Sequence, residues 1–467
     1  MSMFLPVLPF AIAFLACLVI ATRRMWFGDF QMLPTFGWLV LTCLPFCLEF
    51  PLFNPETRMV HGLAISFMLA IFMTCDLNFG KMRALIPTQL RDRDKDHRNL
   101  MLFGYAVGIF FVVVSGTHLY FVDNIPYLEA LRTHDQLQII ADRIKFSRSY
   151  DGIPGMKYLY SFSVYIFAIP ALLILLKCRQ WPSVVILVVW TVLYCIASTA
   201  KGPLITMVVI ALIGLCDIIP QHKRVLLMRS LIVCGFAGFF ALAGLDAFGS
   251  KQTLFSNLPA KYAAATSDKN PDLMLGDYFR RLPRDQYEKE VFPMLRYVDY
   301  YLYRIVQTPI EVSARWYEYF HLYPVQETRL SRTILDSRLQ QEIHPANAVG
   351  RWAYYERFPT HYTPEAFAYA SIDADSYGRF GLWGLVCAGF LYAFMRLWLA
   401  LCDDTSGLTQ GIFGATGAAI LSLMPTSTSI QALVMAQGMG MLMVILGLLK
   451  AWEIWRSYKR VFIKSSN

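Results

Sequence analysis

Runs of about twenty consecutive apolar residues recur along this 467-residue chain. A helix needs ~20 apolar residues to cross ~30 Å of hydrocarbon. The chain is 56% hydrophobic and only 16% charged, whereas a soluble domain is about 25% charged. This composition excludes soluble, collagenous, coiled-coil, disordered and disulfide-scaffold classes. The sequence predicts an all-α polytopic membrane protein with about eleven transmembrane helices, over residues 3–22, 32–50, 59–79, 100–122, 156–176, 182–199, 203–219, 226–245, 381–400, 411–430 and 432–449.

The positions of the basic residues predict the orientation of these helices. No basic residue precedes the first apolar run, and Arg23 and Arg24 follow it directly, which is the reverse of the charge order in a signal peptide. Nineteen Lys and Arg residues then fall in the inner segments, Arg396 among them, against seven in the short outer segments. Because cytoplasmic loops are rich in Lys and Arg, we expect the N-terminus outside and the C-terminus inside.

This topology divides the chain into three regions. Residues 1–245 form an N-terminal bundle of eight helices with an outer loop at 123–155, and residues 381–467 form three helices and a basic cytoplasmic tail. Between them lies a large outer loop, 246–380, which we expect to be mainly helical. It holds 16 Lys and Arg against 17 Asp and Glu, so its net charge is close to zero. A connection of this length is usually functional.

Two local features bear on helix packing. The ten cysteines lie in or beside apolar runs without the spacing of a metal site, so we interpret them as small packing residues and expect no bound metal. The last two apolar runs are joined through Pro425-Thr426-Ser427-Thr428-Ser429. That short polar stretch predicts either a tight turn or a broken helix.

The large outer loop carries two groups of candidate site residues. Aromatic residues alternate with arginines, including Arg315, over 296–323. This pattern is typical of interfacial helices, of a packed lobe or of a sugar-stacking platform. Arginine binds phosphate in a bidentate manner, and histidine acts as a base near neutral pH. The second group, late in the loop, combines these residue types and therefore suits a site for a lipid diphosphate. Its members are Arg329, Arg332, Arg338, His344, Arg351, Glu356, Arg357, His361, Asp373, Asp375 and Arg379.

A further cation lies at a very short outer turn. Lys201 occurs within Ser198-Thr199-Ala200-Lys201-Gly202-Pro203, which joins two apolar runs. The Gly-Pro pair ends one helix, and the proline suits the first turn of the next. Lys201 is therefore either a lysine extending to the membrane surface or an anion-binding group.

Several functional classes are disfavoured. The chain has no P-loop, dinucleotide fingerprint, GxSxG or HExxH motif, and its inner loops are too short for an ATPase domain. Acidic residues near the middle of the membrane, which are typical of ion-coupled transporters, are not evident in the apolar runs. The basic inner loop 80–99 alternates Arg and Lys with Asp, so we expect it to contact anionic lipid and expect no nucleic-acid partner.

Two short motifs resemble those of a known superfamily. Ser198-Thr199-Ala200-Lys201-Gly202 resembles a Ser-Arg-Gly turn, with lysine at the basic position. Asp375-Ser376-Tyr377-Gly378-Arg379-Phe380-Gly381-Leu382-Trp383-Gly384 resembles a Tyr-x-x-Phe-Gly-x-x-Gly motif at the start of the helix after the large loop. The chain also has many predicted spans and one large outer loop late in the sequence. In these motifs and this architecture it resembles the bacterial O-antigen polymerase (Wzy-type) and ligase superfamily.

This resemblance implies a GT-C-like glycosyltransferase in the bacterial inner membrane, with its active site facing the periplasm. It would polymerise repeat units by metal-independent inverting transfer, without a cofactor. Donor and acceptor would both be glycans linked to undecaprenyl diphosphate, and a chain-length regulator would be a protein partner. The alternatives are an O-antigen ligase acting on lipid A core and, outside the enzyme class, a polysaccharide or lipid transporter.

The same resemblance gives roles to the candidate residues. A base would take the proton of the acceptor hydroxyl, a role for His344 or His361, with Glu356 as a further candidate. Cations would stabilise the charge that develops on the departing diphosphate, a role for Lys201, Arg315, Arg351 and Arg357.

Overall fold

The computed structural model describes residues 7–49, 55–84, 97–122, 124–133, 146, 156–197, 211, 222–230, 232–233, 308–323, 345–346, 349, 370–402, 408–423, 425, 429–430 and 432–465. These residues form helices and no β-strand, as the all-α prediction requires. In chain order the α-helices are α1 (Leu8–Trp26), α2 (Leu33–Trp38), α3 (Leu44–Glu49), α4 (Pro55–Ala84), α5 (His97–Phe121), α6 (Pro126–Thr133), α7 (Met156–Ser163), α8 (Ile169–Lys177), α9 (Trp181–Ala197), α10 (Thr308–Leu322), α11 (Ile372–Phe380), α12 (Leu382–Cys402), α13 (Leu408–Leu423) and α14 (Met439–Ser465).

Five helices of the described chain are long and apolar enough to cross a membrane. Their spanning segments are Leu8–Trp26, Glu56–Met82, Asn99–Phe121, Leu159–Lys177 and Leu382–Cys402. Shorter apolar helices occur at Leu33–Cys47, Trp181–Ala197, Ile412–Leu423 and Met439–Trp452. The structure therefore agrees with the prediction of a helical chain built around apolar spans. The predicted runs at 203–219 and 226–245 lie largely outside the described residues.

Two predicted spans are interrupted by π-helical turns. Leu39–Cys43 separates α2 from α3, and Val164–Ala168 separates α7 from α8. In each case the second residue of the following α-helix is a proline, Pro45 or Pro170. Proline has no N–H to donate to the preceding turn, and a π-turn is one way in which a helix accommodates a shift in its hydrogen-bond register. The apolar pattern predicts the span but not this shift.

The last apolar run, predicted as one helix over 432–449, is broken. A π-turn covers Ala432–Ala436, and α14 begins only at Met439. Between them Gly438 has a φ of +79°, and a Cβ at this position would lie 2.6 Å from side-chain atoms of Phe162 and Ile166. Only glycine combines this backbone conformation with so close a contact. This break lies after the stretch from Pro425 to Ser429, which is largely outside the described residues, so the choice there between a tight turn and a broken helix stays a prediction.

The chain divides into two compact units. The first comprises Met1–Thr74, Val225–Ala393 and Pro425–Ile430, and the second comprises Cys75–Arg224, Phe394–Met424 and Gln431–Asn467. In the first unit α4 packs beside α12, because the Phe72 ring stacks on Tyr392 with centroids 3.7 Å apart. About two turns earlier on each helix, Ala64 and Leu385 share one apolar core. Both helices therefore run in the same direction.

The second unit contains a buried ion pair. Arg396 of α12 places Nε 2.8 Å from Asp76 Oδ1, and neither side chain is exposed. The guanidinium also lies 4.5 Å from the centroid of the Phe79 ring. The prediction of Arg396 in an inner loop is wrong, because α12 continues through it to Cys402 and the acid buries it. Breaking a buried pair on one side costs about 3–5 kcal/mol.

Candidate functional site

The Tyr-x-x-Phe-Gly-x-x-Gly segment forms α11 and the start of α12. Ser371 has extended backbone and precedes α11, and Asp373 and Asp375 lie in the first turn of this helix. Acidic side chains are favourable there because they face the positive end of the helix dipole. Gly381 ends the helix with a φ of +62°, a conformation that glycine adopts at little cost. The motif thus sets the position of a short polar helix directly before a membrane span.

A second motif glycine allows α11 to approach α10. A Cβ on Gly378 would lie 2.7 Å from Cε3 of Trp316, and it would also clash with the ring of Phe320. Both aromatic residues are buried in a core that includes Val312, Ala374 and Leu385. Of the three interpretations of the aromatic segment, the packed lobe describes this part of it, because Trp316, Tyr317 and Phe320 are buried.

The close approach brings together a network of buried polar groups, which we call the Asp373 cluster: His61, Ser313, Tyr317, Ser371 and Asp373. Tyr317 Oη donates to Asp373 Oδ2 at 3.0 Å, and Ser371 Oγ donates to Asp373 Oδ1. The Ser371 N–H donates to Ser313 Oγ at 3.1 Å. Helix α10 and the start of α11 are therefore joined by polar contacts as well as by apolar ones.

Burial governs the acid–base properties of this cluster. It raises the pKa of Asp373, although the hydrogen bonds from Ser371 and Tyr317 act in the opposite direction. The pKa of Tyr317 is also raised, first by burial and then by the neighbouring Asp373 carboxylate. Both shifts follow from the cost of a charge in a medium of low dielectric constant. Asp373 and Tyr317 therefore bind their protons more tightly than the same groups do in water.

His61 of α4 supplies the imidazole of the cluster. Its ring stacks on Tyr317, with centroids 4.5 Å apart, and meets the edge of Phe46 at 5.1 Å. Nε2 lies 4.0 Å from Asp373 Oδ2, and the side chains of His61 and Asp373 are 1% and 0% exposed. Within the described part of the chain, neither ring nitrogen of His61 has a hydrogen-bond partner. Buried polar atoms in native proteins are almost always hydrogen-bonded, so this imidazole is unusual.

Two buried ion pairs lie on the same two helices. Arg379 Nε donates to Oδ1 and Oδ2 of Asp375, each at 3.0 Å. Arg315 Nη1 lies 3.6 Å from Glu318 Oε2. Burial raises the pKa of Asp375, and the charge and hydrogen bond of Arg379 oppose this shift. These pairs place two buried guanidinium groups on the helices that also carry Ser313, Tyr317 and Asp373.

The predicted site residues fall into two groups. Arg315 is described, and it is a buried member of α10 paired with Glu318. The others lie outside the described residues: Lys201, His344, Arg351, Glu356, Arg357 and His361. Two described residues between His344 and Arg351 do belong to the site region, because Ala346 and Val349 are buried in the apolar core around α10 and α11.

Sequence reasoning missed His61, Ser313 and Tyr317 as members of a site. His61 lies in the predicted span 59–79, whereas the search for catalytic histidines covered the outer segments. The signal that would find it is a lone ionisable residue in an apolar run, which is a candidate functional residue in a membrane protein. Among the described residues, no three His, Cys, Asp or Glu side chains are arranged to hold a metal ion.

Comparison with known proteins gives no further assignment. No protein-family model matches the chain, and neither a curated protein nor a solved structure is significantly similar to it.

Proposed function

We propose that this protein is an inner-membrane glycosyltransferase that polymerises repeat units linked to undecaprenyl diphosphate, as in the synthesis of O-antigen. The reducing-end sugar of the growing glycan leaves its diphosphate and is transferred, with inversion, to a hydroxyl of a single lipid-linked repeat unit. The reaction takes place on the periplasmic side and uses no metal ion. Its energy comes from the sugar–diphosphate bond, so no nucleotide site is needed.

The observation that carries this proposal is the structure of the superfamily-like motif. Its first residues complete α11, a helix in which Asp373 and Asp375 are buried. This helix packs through Gly378 against the helix that carries Arg315. Burying acids, arginines and an imidazole costs free energy of folding unless each is paired. Such residues are therefore expected where the protein's function requires them. General acid–base chemistry and stabilisation of a diphosphate require these residue types.

The proposed topology has eleven spans and a GT-C-like arrangement, and the direction of two helices supports it. Both α4 and α12 are assigned as running from the periplasm inward, and they pack in parallel. His61 is five residues after Glu56, the first residue of its spanning segment, which is about 8 Å of helix. The Asp373 cluster then lies near the periplasmic surface, where lipid-linked sugars are presented.

The large loop supplies the remaining groups of the proposed site. His344 and Arg351 are each two residues from a residue of the apolar core around α10 and α11. His344 or His361 is assigned as a base, with Glu356 as a further candidate. Arg315, Arg351, Arg357 and Lys201 stabilise charge on the diphosphate. Removing one such group typically costs ~10²–10³ in rate.

Deletion of the gene in its host tests the proposal. Loss of the polymerase leaves surface glycan of core plus one repeat, which is visible as a single short band on a gel. Loss of a ligase would instead leave bare core and unattached polymer. Fully polymerised surface glycan in the deletion strain would contradict both enzyme assignments and favour a transporter or another role.

Complementation of the deletion strain locates the site. Arg351→Ala and His344→Ala are each expected to abolish chain extension without lowering the amount of protein in the membrane. Arg132→Ala is the control, because Arg132 is an outer-segment arginine whose side chain is 75% exposed. Long chains from both loop variants would show that the site lies elsewhere, even where the deletion itself supports a polymerase.

A further inference from the structure

We propose that His61 is the catalytic base of this transfer and that Asp373 is its positioning residue. The inference rests on the proposed function and moves the role of base from the loop residues His344, His361 and Glu356 to a residue of a membrane span.

The first reason is the state of the His61 ring. It is 1% exposed and held between Tyr317 and Phe46, yet both ring nitrogens lack a hydrogen-bond partner within the described chain. A histidine that only fills space in an apolar core is replaced at no loss by an aromatic residue. An imidazole with unused nitrogens beside a carboxylate has a lone pair with which to accept a proton.

The second reason is the carboxylate that faces this ring. Both carboxylate oxygens of Asp373 accept a hydrogen bond, Oδ2 from Tyr317 and Oδ1 from Ser371. The Oδ2 atom also lies 4.0 Å from His61 Nε2. A proton on Nε2 then points toward Asp373 and leaves the lone pair on Nδ1. Catalytic hydrogen bonds are often long in unliganded sites and shorten when the substrate binds, so the separation of 4.0 Å suits this role.

The third reason is the depth of the base. His61 is about 8 Å below the outer end of its span, so an acceptor hydroxyl need move inward by less than two helical turns. Arg58 is one turn further out on the same helix, at a half-buried position within electrostatic range of Glu318. In the proposed topology a cation therefore lies between the base and the periplasm, the side from which the glycan of the lipid-linked substrate enters.

The chemical step balances without a further reactant. The acceptor hydroxyl gives its proton to His61 Nδ1 as its oxygen forms a bond to the anomeric carbon of the donor sugar. The bond from that carbon to the diphosphate oxygen breaks, and its electron pair leaves with undecaprenyl diphosphate. Asp373 stabilises the imidazolium, which returns its proton to water once the product has left. Within the described residues, the titratable groups near this pair include Tyr317 of α10, which stacks on His61, and Cys43 of the π-turn after α2, which is within electrostatic range of Asp373.

The test uses the full chain, purified and reconstituted in vesicles of phosphatidylethanolamine and phosphatidylglycerol with the host's lipid-linked repeat unit. The readout is the single-turnover release of undecaprenyl diphosphate between pH 5 and pH 9. Because burial disfavours the charged imidazolium, the base is neutral over this range, and the wild-type rate should change little with pH. His61→Gln should reduce the rate by about 10²–10⁴-fold at every pH. Asp373→Asn should reduce the rate by a smaller factor, and Asp373→Glu should recover part of that loss.

The matched control is His321→Gln, because His321 lies on α10 with an exposed side chain that contacts Glu56. The control should keep the wild-type rate and pH profile. If His61→Gln does not fold, His61→Ala with added imidazole replaces it, and recovery of the rate with imidazole is the expected result. A rate within threefold of wild type for His61→Gln, or the absence of recovery in His61→Ala, overturns the inference. No turnover by the wild-type protein would instead overturn the proposed function.

Discussion

Among the described residues, each unit has a buried histidine that stacks on a tyrosine, His61 in the first unit and His118 in the second. The two differ in what their ring nitrogens contact. In the second unit His118 lies over Tyr160 with centroids 4.2 Å apart. Its Nδ1 is 2.7 Å from Tyr194 Oη and its Nε2 is 3.0 Å from the Phe146 carbonyl oxygen. In the first unit His61 has the same kind of stacking and no hydrogen bond within the described residues.

This difference separates two uses of a buried polar residue. His118 joins α5 to α9 and to Phe146, so its polar atoms stabilise the fold. The Asp76–Arg396 pair does the same for α4 and α12 in that unit. His61 makes no such link through its nitrogens, so the fold gains little from its being a histidine. The comparison predicts that polar substitutions in the second unit affect stability and that those at His61 affect activity.

The largest loss of stability is expected for Asp76→Ala. It leaves Arg396 buried without its acid, which costs about 3–5 kcal/mol. Thermal unfolding in detergent and the amount of protein in the membrane measure the effect. Asp76→Leu combined with Arg396→Met should restore most of the stability, because apolar residues of similar volume can replace a buried pair. A fully stable Asp76→Ala variant would show that the pair does not hold the unit together.

A smaller loss of stability is expected for His118→Phe. The phenylalanine keeps the stacking on Tyr160 but loses two hydrogen bonds, at about 1–3 kcal/mol in total. The same unfolding experiment measures it. An unchanged melting temperature would remove the contrast between the two histidines.

The same substitution at the other histidine, His61→Phe, is expected to change stability by less than about 1 kcal/mol, because it exchanges a ring without hydrogen bonds for an apolar one. Chain extension in the complemented deletion strain should nevertheless be lost. Wild-type glycan length together with unchanged stability would show that His61 serves only as a packing residue.

The smallest expected effect is a pH dependence of stability at Asp373. Its pKa is raised in the folded state, so the folded protein binds this proton more tightly than the unfolded chain. The stabilisation is complete below the unfolded pKa and is lost as pH rises through the folded pKa. Asp373→Asn should therefore gain in Tm relative to wild type between pH 4 and pH 7. Asp29→Asn is the control at an exposed, ion-paired acid, and an equal gain there would contradict the assignment.

The apolar pattern predicts much of the fold and little of the site. The span at 381–400 corresponds to α12 (Leu382–Cys402) and that at 100–122 to α5 (His97–Phe121), because hydrocarbon thickness fixes the length of an apolar helix. The break at Gly438 depends on packing against Phe162 and Ile166, which are distant in sequence, and the break before Pro170 accompanies a proline within the span. For the same reason the charge pattern assigns Arg396 to a loop, although its partner Asp76 buries it.

The site was only partly predictable because its members come from different kinds of segment. Asp373, Asp375 and Arg379 follow from the short motif and its neighbours, and Arg315 follows from the aromatic segment. His61 belongs to an apolar run near the N-terminus, and no local pattern connects it with a carboxylate after the large loop. Only the packing of α4 against α10 and α11 reveals that contact.

The pairing of Asp76 with Arg396 also has a consequence for biosynthesis. Arg396 is translated about 320 residues after Asp76, which takes roughly 16–64 s at 5–20 residues per second. During that interval α4 has left the ribosome and its partner has not yet been made. The helix must therefore enter the insertion machinery with an acid that has no arginine to neutralise it. The second unit is completed only when the last part of the chain arrives, so a protein truncated before Arg396 lacks one side of this buried ion pair.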